Sequence, residues 1–139
     1  MKLILVPTDG SPAANDALEK ALELAKKFKS KLIAINVIEP VSWTIATTDA
    51  LLLEARAQEW QKATLESALQ RARRKGVRIK TVALRGNIAE EIVSYAKKAR
   101  CDLIVMGSRG LSATDRFLLG SVSDRVLHHA PCSVLIVRK

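Results

Sequence analysis

The sequence predicts a single doubly wound α/β domain, in which a five-stranded parallel sheet carries helices on both faces. Five short aliphatic runs alternate with four segments of helical periodicity, which is the pattern of successive strand–helix–strand units. The first run, residues 3–6, is continuously apolar rather than alternating, as expected of a parallel strand covered on both faces. Since the 139 residues show no break in composition, we expect one domain over residues 1–139.

The first strand and helix follow from the residues at the start of the chain. Residues 3–6 are an apolar run that Pro7 ends. Ser11 is suited to cap the first amides of a helix, and Pro12 fits the first helical position. Six apolar residues then recur at helical spacing and predict the buried stripe of this helix. They are Ala14, Ala17, Leu18, Ala21, Ala25 and Phe28.

A second strand is predicted over residues 32–38, followed by a loop over residues 39–48 and a long helix from Asp49 to Lys75. The loop is longer than most strand-to-helix connections, and long loops often carry function. Gly76 supplies the left-handed conformation with which many helices end. The apolar side of this helix is predicted at Ala57, Trp60, Ala63 or Thr64, and Ala68.

The third strand, the third helix and the fourth strand are predicted over residues 77–106. Residues 77–84 form the third strand, and a helix follows over residues 88–99. The fourth strand spans residues 102–106 and precedes a glycine- and serine-bearing loop over residues 107–120. The apolar stripe of the helix is Ile92, Val93 and Ala96.

A short helix and a fifth strand complete the pattern. Val122 and Val126 face inward from the helix, Pro131 terminates it, and residues 133–137 form the strand. The predicted strand order is 3-2-1-4-5, with right-handed crossovers. Because this order reverses between strands 1 and 4, we expect a ligand crevice at the loops that follow those two strands.

The charge balance favours anionic partners. The chain has 23 Lys and Arg against 14 Asp and Glu, a formal net charge of +9. This charge suits nucleotides, nucleic acid or acidic lipid without choosing among them. No apolar run is long enough to cross a bilayer, so we expect no membrane association. Cys101 and Cys132 lack the spacing of a zinc site, so we expect buried free thiols in a reducing cytoplasm.

The segment after the fourth strand has the composition of a phosphate-binding loop. It reads Gly107-Ser108-Arg109-Gly110, then nine residues, then Gly120-Ser121-Val122-Ser123. Glycines let backbone amides approach an anion, and the amides at a helix N-terminus favour phosphate. Ser121 and Ser123 add hydroxyl donors. The alternative is structural, with a tight turn at Gly107 and Gly110 and close helix packing at Gly120.

Several familiar motifs are absent. There is no G-x-x-x-x-G-K-[ST] P-loop, and Asp9-Gly10-Ser11-Pro12 after the first strand is not a dinucleotide fingerprint. The sequence Met106-Gly107-Ser108-Arg109-Gly110 lacks the first glycine of a hydrolase elbow. The third strand ends in Ala83-Leu84-Arg85 rather than in the Asp of a phosphoacceptor domain.

The glycine segment matches the motif G-x2-G-x9-G-[ST] in full, through Gly107, Gly110, Gly120 and Ser121. With three further stretches, it gives the whole chain a resemblance to the universal stress proteins, and to their ATP-binding branch. Those stretches are Val6-Pro7-Thr8-Asp9-Gly10-Ser11, Arg85-Gly86-Asn87-Ile88-Ala89-Glu90-Glu91-Ile92 and Pro131-Cys132-Ser133-Val134-Leu135-Ile136-Val137.

The resemblance implies an ATP site with Mg²⁺ on the phosphates. Asp9 would bond the ribose or a nearby phosphate, and Pro7 and Thr8 would shape that wall. Val37 would contact adenine through its backbone. Where members of this family often carry His, the chain has Asn36, with little expected effect on binding.

The resemblance also implies the rest of the site and a partner. The residues that would line the ribose and phosphates are Gly107, Ser108, Arg109 and Gly110. The residues that would bind the phosphates are Gly120, Ser121, Val122 and Ser123. The implied partner is a second copy of the chain, with the last strands from Val134 to Val137 pairing across a two-fold axis.

Some of these roles have structural alternatives. Asp9 could cap the first helix together with Ser11, and Arg109 could be a solvated loop cation. His128 and His129 are expected to be a surface pair rather than a catalytic base.

The predicted function is that of a nucleotide-responsive regulatory protein of the stress response, which binds ATP and hydrolyses it slowly at most. A small nucleotide hydrolase stays open as an alternative. So does an apo scaffold or nucleic-acid-binding module whose glycines are structural. A basic cluster is expected to be a solvated face, and a nucleic-acid footprint is the rival interpretation, disfavoured for single strands because no aromatic residue is interleaved. The cluster is Arg71, Arg73, Arg74, Lys75, Arg78 and Lys80.

Overall fold

Five strands and four helices alternate along the chain in the computed structural model, which describes residues 1–40, 48–108 and 119–138. The strands are β1 (Leu3–Pro7), β2 (Lys31–Ile38), β3 (Ile79–Arg85), β4 (Leu103–Gly107) and β5 (Ser133–Val137). The helices are α1 (Pro12–Phe28), α2 (Thr48–Lys75), α3 (Ile88–Ala99) and α4 (Ser121–His129).

The strands form one parallel sheet in the order β3-β2-β1-β4-β5. This confirms the predicted fold class and strand order. β1 lies in the middle, where Ile4 pairs with Leu32 of β2 on one side and with Leu103 of β4 on the other. The connections from β1 and from β4 leave in opposite directions, so the carboxyl ends of these two strands border the expected crevice.

Two cores cover the two faces of the sheet. On one face, Leu18 and Leu22 of α1 pack with Ile4, and α2 joins them. On the other face, Ile92 of α3 and Val126 of α4 pack against the opposite side of the strands. The alternate residues of β1 therefore enter different cores, which explains why its sequence is apolar throughout.

The start of α1 is as predicted, but the last residue of its predicted buried stripe is not buried. The Ser11 hydroxyl accepts a hydrogen bond from the Ala14 amide at 3.1 Å, and Pro12 is the first helical residue. Phe28 was expected in the buried stripe, and its side chain is 50% exposed. The chain reverses directly after it, with Lys29 left-handed at a φ of 54°, so the sheet does not continue beneath the ring.

The buried side of α2 also differs from the prediction. Trp60 is 39% exposed, and Ala68 alone of the predicted residues is buried, together with Gln61, Leu65 and Ala72. The Gln61 amide donates to the carbonyls of Asn36 at 2.9 Å and Leu84 at 3.0 Å, near the carboxyl ends of β2 and β3. The turns of α2 before Gln61 therefore extend past the sheet. This explains why none of the residues 49–60 is buried.

Asp102 joins the start of β4 to the start of β1. Its carboxylate accepts hydrogen bonds from the amides of Lys2 at 2.7 Å and Leu3 at 2.8 Å. The Asp102 amide donates in return to the Leu3 carbonyl at 2.9 Å. These two amide donors lower the pKa of the Asp102 carboxyl below its ordinary value.

The two cysteines are free, as predicted. Cys101 is buried, and burial raises the pKa of its thiol to about 11. Cys132 was expected to be buried as well, and it is only partly covered because it precedes the edge strand β5. Burial also raises the pKa of Cys132. Both side chains are therefore protonated thiols near neutral pH.

We expect Asp102→Asn to destabilise the protein at neutral pH and to do so less in acid. A carboxyl whose pKa is lowered on folding stabilises the fold above its ordinary pKa of 3.8, and that contribution disappears as the pH falls through the folded pKa. Urea unfolding of both proteins between neutral and strongly acidic pH measures the difference. Asp16→Asn in α1 controls for the lost charge, and a gap that is constant over this range would contradict the prediction.

Candidate functional site

The turn between β1 and α1 forms one wall of the crevice. The Thr8 amide donates to the Ile35 carbonyl at 2.8 Å, and the Asn36 side-chain amide donates to the Thr8 carbonyl at 2.7 Å. Thr8 is buried, and Pro7, the last residue of β1, is half-buried. The peptide after Pro7 is therefore held rigidly against β2.

Asp9 stands at the head of α1. One of its carboxylate oxygens accepts a hydrogen bond from the Ser11 amide at 2.9 Å, and the Thr8 hydroxyl accepts from Gly10 at 3.3 Å. Gly10 has a φ of +79°, which closes the turn. Asp9 thus has the structural role given as its alternative, since it forms a turn at the start of the first helix together with Ser11. Its carboxylate is only half-buried and lies beside the crevice.

The two ends of the glycine segment meet on the other wall. The Gly120 amide donates to the Ser108 carbonyl at 2.7 Å. The Ser123 hydroxyl donates to the Gly107 carbonyl at 2.8 Å. The end of β4 and the start of α4 are thereby fixed to each other. Arg109 and Gly110, two further predicted site residues, lie outside the described residues.

The Ser123 hydroxyl, a predicted phosphate donor, makes a hydrogen bond within the protein in this structure. Ser123 is only 4% exposed, and its hydroxyl proton is used by Gly107. Val122 is partly buried against the core under α4, as predicted, and Ser121 is exposed. The hydroxyl at the surface of this turn is therefore that of Ser121.

The N-terminus of α4 is built differently from those of α1 and α3. The Ser11 and Asn87 side chains accept hydrogen bonds from amides in the first turns of α1 and α3. Gly120 occupies the same position in α4 and has no side chain to do so. The first amides of a helix have no partner within the helix, and the helix dipole adds positive potential there. The start of α4 can therefore bind an anion.

Gly107 brings the two walls together. A Cβ added at Gly107 would lie 2.9 Å from the carbonyl carbon and oxygen of Ala13 in α1. Real Cβ atoms do not approach backbone atoms so closely, so the first turn of α1 packs directly on the end of β4 because this residue is glycine. The structural alternative had placed a tight turn at Gly107 and close helix packing at Gly120, whereas the structure shows close packing at Gly107.

The end of β2 carries the predicted Val37 and Asn36 and is bonded to Gln61 of α2, a residue that sequence reasoning did not find. Val37 is buried among the residues facing α3, and β2 continues to Ile38. Asn36 is 2% exposed, and its side-chain oxygen has no hydrogen-bond partner in the described part of the chain. Gln61 holds the Asn36 carbonyl from α2. Gln61 lies four residues before the buried Leu65 and therefore on the same side of the helix, and this spacing was the signal that could have revealed it.

A cleft of about 280 Å³ opens between α1 and α2 beside Asp9. Its lining is mainly polar, and Trp60 is its aromatic residue. The lining residues are Thr8, Asp9, Gly10, Asn15, Trp60, Ala63, Thr64, Ser67 and Ala68.

The described residues contain neither a metal-binding cluster nor a membrane-spanning helix. Within 1–40, 48–108 and 119–138, no group of three or more His, Cys, Asp or Glu side chains is placed to hold a metal ion. None of the helices in these ranges combines the length and the hydropathy that crossing a bilayer requires.

Comparison with protein families gives one assignment over nearly the whole chain. The model of the universal stress protein family matches residues 1–138. Among curated proteins, the universal stress protein MJ0531 of Methanocaldococcus jannaschii is 39% identical over 141 residues, which covers 99% of this chain and 82% of that protein.

Solved structures give the same fold. The universal stress protein UspA from Lactobacillus plantarum matches with a TM-score of 0.83 and 28% identity, covering 99% of this chain and 97% of that one. A universal stress protein in complex with cAMP matches with a TM-score of 0.76 and 30% identity, covering 99% and 97%. A universal stress protein from Archaeoglobus fulgidus in complex with dAMP shares the fold at 24% identity and a TM-score of 0.72, covering 99% and 98%.

We expect Gly107→Ala to lower the free energy of unfolding by about 2–3 kcal/mol, because the new methyl group collides with the backbone of α1. Gly76→Ala is the matched control, since its Cβ meets nothing within 4 Å and only the φ of +70° opposes it. That strain costs about 1 kcal/mol. Denaturant unfolding of both variants measures the two losses. Equal losses would mean that α1 shifts freely and that its packing does not require Gly107.

Proposed function

The chain belongs to the universal stress protein family, and we propose that it binds ATP in the crevice between the carboxyl ends of β1 and β4. The observation that carries the proposal is the glycine N-cap of α4. Gly120 leaves the first amides of this helix without a side-chain cap, and its own amide is fixed to Ser108. Amides at a helix start favour an anion, and α4 starts beside the switch point of the sheet, which supports a phosphate site there.

The phosphates of the nucleotide bind at the start of α4. The amides of Ser121, Val122 and Ser123 lie in the first turn of α4, where no carbonyl of the helix accepts from them, and the exposed Ser121 hydroxyl adds a donor. Ser123 contributes its amide alone, because its hydroxyl is bonded to Gly107. By the family resemblance, Arg109 and Gly110 complete this part of the site.

The ribose and adenine bind toward β1 and β2. The half-buried Asp9 carboxylate accepts hydrogen bonds from ribose hydroxyls, a common nucleotide contact. Thr8 and Pro7 form the wall beside it, and the backbone of Val37 meets the adenine. The related structure in complex with cAMP supports an adenine nucleotide as the ligand.

Mg²⁺ is bound to the phosphates of the nucleotide. Mg²⁺ usually keeps several waters and is bound largely through the phosphates of its nucleotide, so the proposed site needs no acidic cluster of its own. The protein then acts in the cytoplasm as a nucleotide-responsive regulator of the stress response, with its two thiols reduced. Hydrolysis of ATP, where it occurs, is slow.

We further propose that two copies of the chain pair through β5. Within the described residues β5 bonds to β4 alone, so its outer edge is open. Leu135 in this strand is 37% exposed. A second copy across a two-fold axis covers both the apolar side chains and the unpaired backbone groups of such an edge.

Protein purified without added nucleotide is expected to release near-equimolar ATP on denaturation, identified by mass. In protein stripped of nucleotide, roughly millimolar Mg-ATP should raise the melting temperature. Ser121→Glu should abolish that rise, because a carboxylate at the start of α4 repels phosphate while it suits the helix dipole and leaves the fold intact.

Ser94→Glu, at an exposed position of α3, is the matched control and should keep the response to ATP. Released ADP or AMP would keep the site and favour the hydrolase alternative. No response to ATP in the parent protein, or the same loss in both variants, would contradict nucleotide binding at α4.

Light scattering should give a mass near twice the 15.2 kDa of one chain at micromolar concentration. Leu135→Lys should shift the protein toward monomer, because it places a charge at the centre of the β5 edge. Leu51→Lys on α2, where the side chain is 64% exposed, should leave the dimer intact. A monomeric parent protein would refute the dimer, and equal dissociation of both variants would refute its placement on β5.

A further inference from the structure

The fold gathers most of the positive charge of the chain at one end. In this parallel architecture the helices finish and the strands start at the edge of the sheet opposite the nucleotide site. Residues 26–31, 73–80 and 97–100 occupy that end and contain twelve of the 23 Lys and Arg but no Asp or Glu. All twelve are exposed. We call these three segments the basic end.

Helix dipoles do not account for this charge. Each helix C-terminus carries about half a negative charge, so the four helices together balance roughly two cations. Acidic side chains add little. Glu19 bonds Arg71 at 3.1 Å and Lys75 at 3.5 Å, and the carboxylate of Asp102 beside the basic end is held by two backbone amides. Arg73 and Arg74 form no ion pair with any residue that the structure describes. A large uncompensated charge therefore faces the solvent.

An exposed aromatic ring lies within the basic end. Phe28 is 50% exposed, with lysines on both sides of it in the sequence, and the Lys27 ammonium lies 5.9 Å from the ring centroid. α1 and α2 lie on the same face of the sheet and are linked by Glu19. The structure thus adds to the arginines of α2 the stacking residue that their own sequence lacks.

We infer that the basic end binds single-stranded nucleic acid, a function separate from the proposed nucleotide site. Arginine guanidinium groups such as those of Arg73, Arg74 and Arg78 bind phosphates in a bidentate manner. The neighbouring lysines follow the backbone, and a base stacks on the Phe28 ring.

Two other polyanions fit the basic end less well. A duplex keeps its bases stacked inside and offers none to Phe28. A lipid surface is bound through several apolar side chains inserted together. In residues 26–31, 73–80 and 97–100, Phe28 is the single exposed large apolar side chain.

The test is fluorescence anisotropy with a labelled oligothymidylate of about 20 nucleotides. The parent protein binds it with an affinity that falls steeply with salt. Arg73→Glu with Arg74→Glu lowers the affinity at least about tenfold at low salt and reduces the slope of log affinity against log salt by about 1.4 or more. Phe28→Ala weakens binding at least about fivefold, and Phe28→Trp retains it.

The matched control is Arg56→Glu with Lys62→Glu. Both residues are exposed on α2 outside the basic end, and the change in net charge is the same. This variant binds within about threefold of the parent protein. Saturating AMP does not displace the oligonucleotide, because the two ligands occupy opposite ends of the fold.

Four results would overturn the inference. They are equal weakening by the two charge-reversed variants, displacement by AMP, unchanged binding by Phe28→Ala, and no binding of the oligonucleotide at low salt. Tighter binding to a duplex or to vesicles of phosphatidylcholine and phosphatidylserine would likewise assign the basic end to that partner instead.

Discussion

The contact between the first turn of α1 and the end of β4 determines the geometry of the whole crevice. At Gly107 the backbone of α1 comes so near the strand that no side chain fits between them. The turn that carries Asp9 continues directly into α1, so this contact also sets its distance from the start of α4. Ser123 and Gly120 then fix α4 to the same strand end. The starts of α1 and α4 are thus both fixed to the end of β4, although the three elements are distant in sequence.

The parallel architecture also sorts charge along the molecule. Because every helix returns over the sheet in the same sense, all helix starts lie at one edge and all helix ends at the other. The first turns of α3 and α4 carry Glu90, Glu91 and Asp124, whereas the last turns of α1, α2 and α3 carry Lys and Arg. Acidic residues in first turns and basic residues in last turns stabilise each helix individually, and together they give the molecule two chemically different ends. The crevice and the basic end are on opposite sides of this division.

Local sequence signals predicted the fold well because each start, end and strand depends on residues that are neighbours in the sequence. Ser11 and Pro12 marked the start of α1, Gly76 ended α2 in the left-handed region, and the alternation of strands with helices predicted the parallel sheet. Helical periodicity alone does not reveal where the sheet stops beneath a helix. For this reason Phe28 was assigned to the core and Trp60 was preferred to Gln61. The predicted crevice position follows from strand order, but the partner of the Ser123 hydroxyl could not be predicted. That bond depends on the tertiary approach of α4 to Gly107.

The hydrogen bond between Gly120 and Ser108 has a consequence for the eleven residues that separate them. It closes this segment at its base, so the entropy of bringing the ends together is a property of the loop length alone. That entropy grows only with the logarithm of the length, and doubling the segment adds about 0.6 kcal/mol. A change of length between residues 109 and 119 therefore costs the fold little, whereas the proposed phosphate site depends on the spacing between Gly110 and Gly120. A longer or shorter segment would thus impair nucleotide binding while the strand and the helix at its ends stay in register.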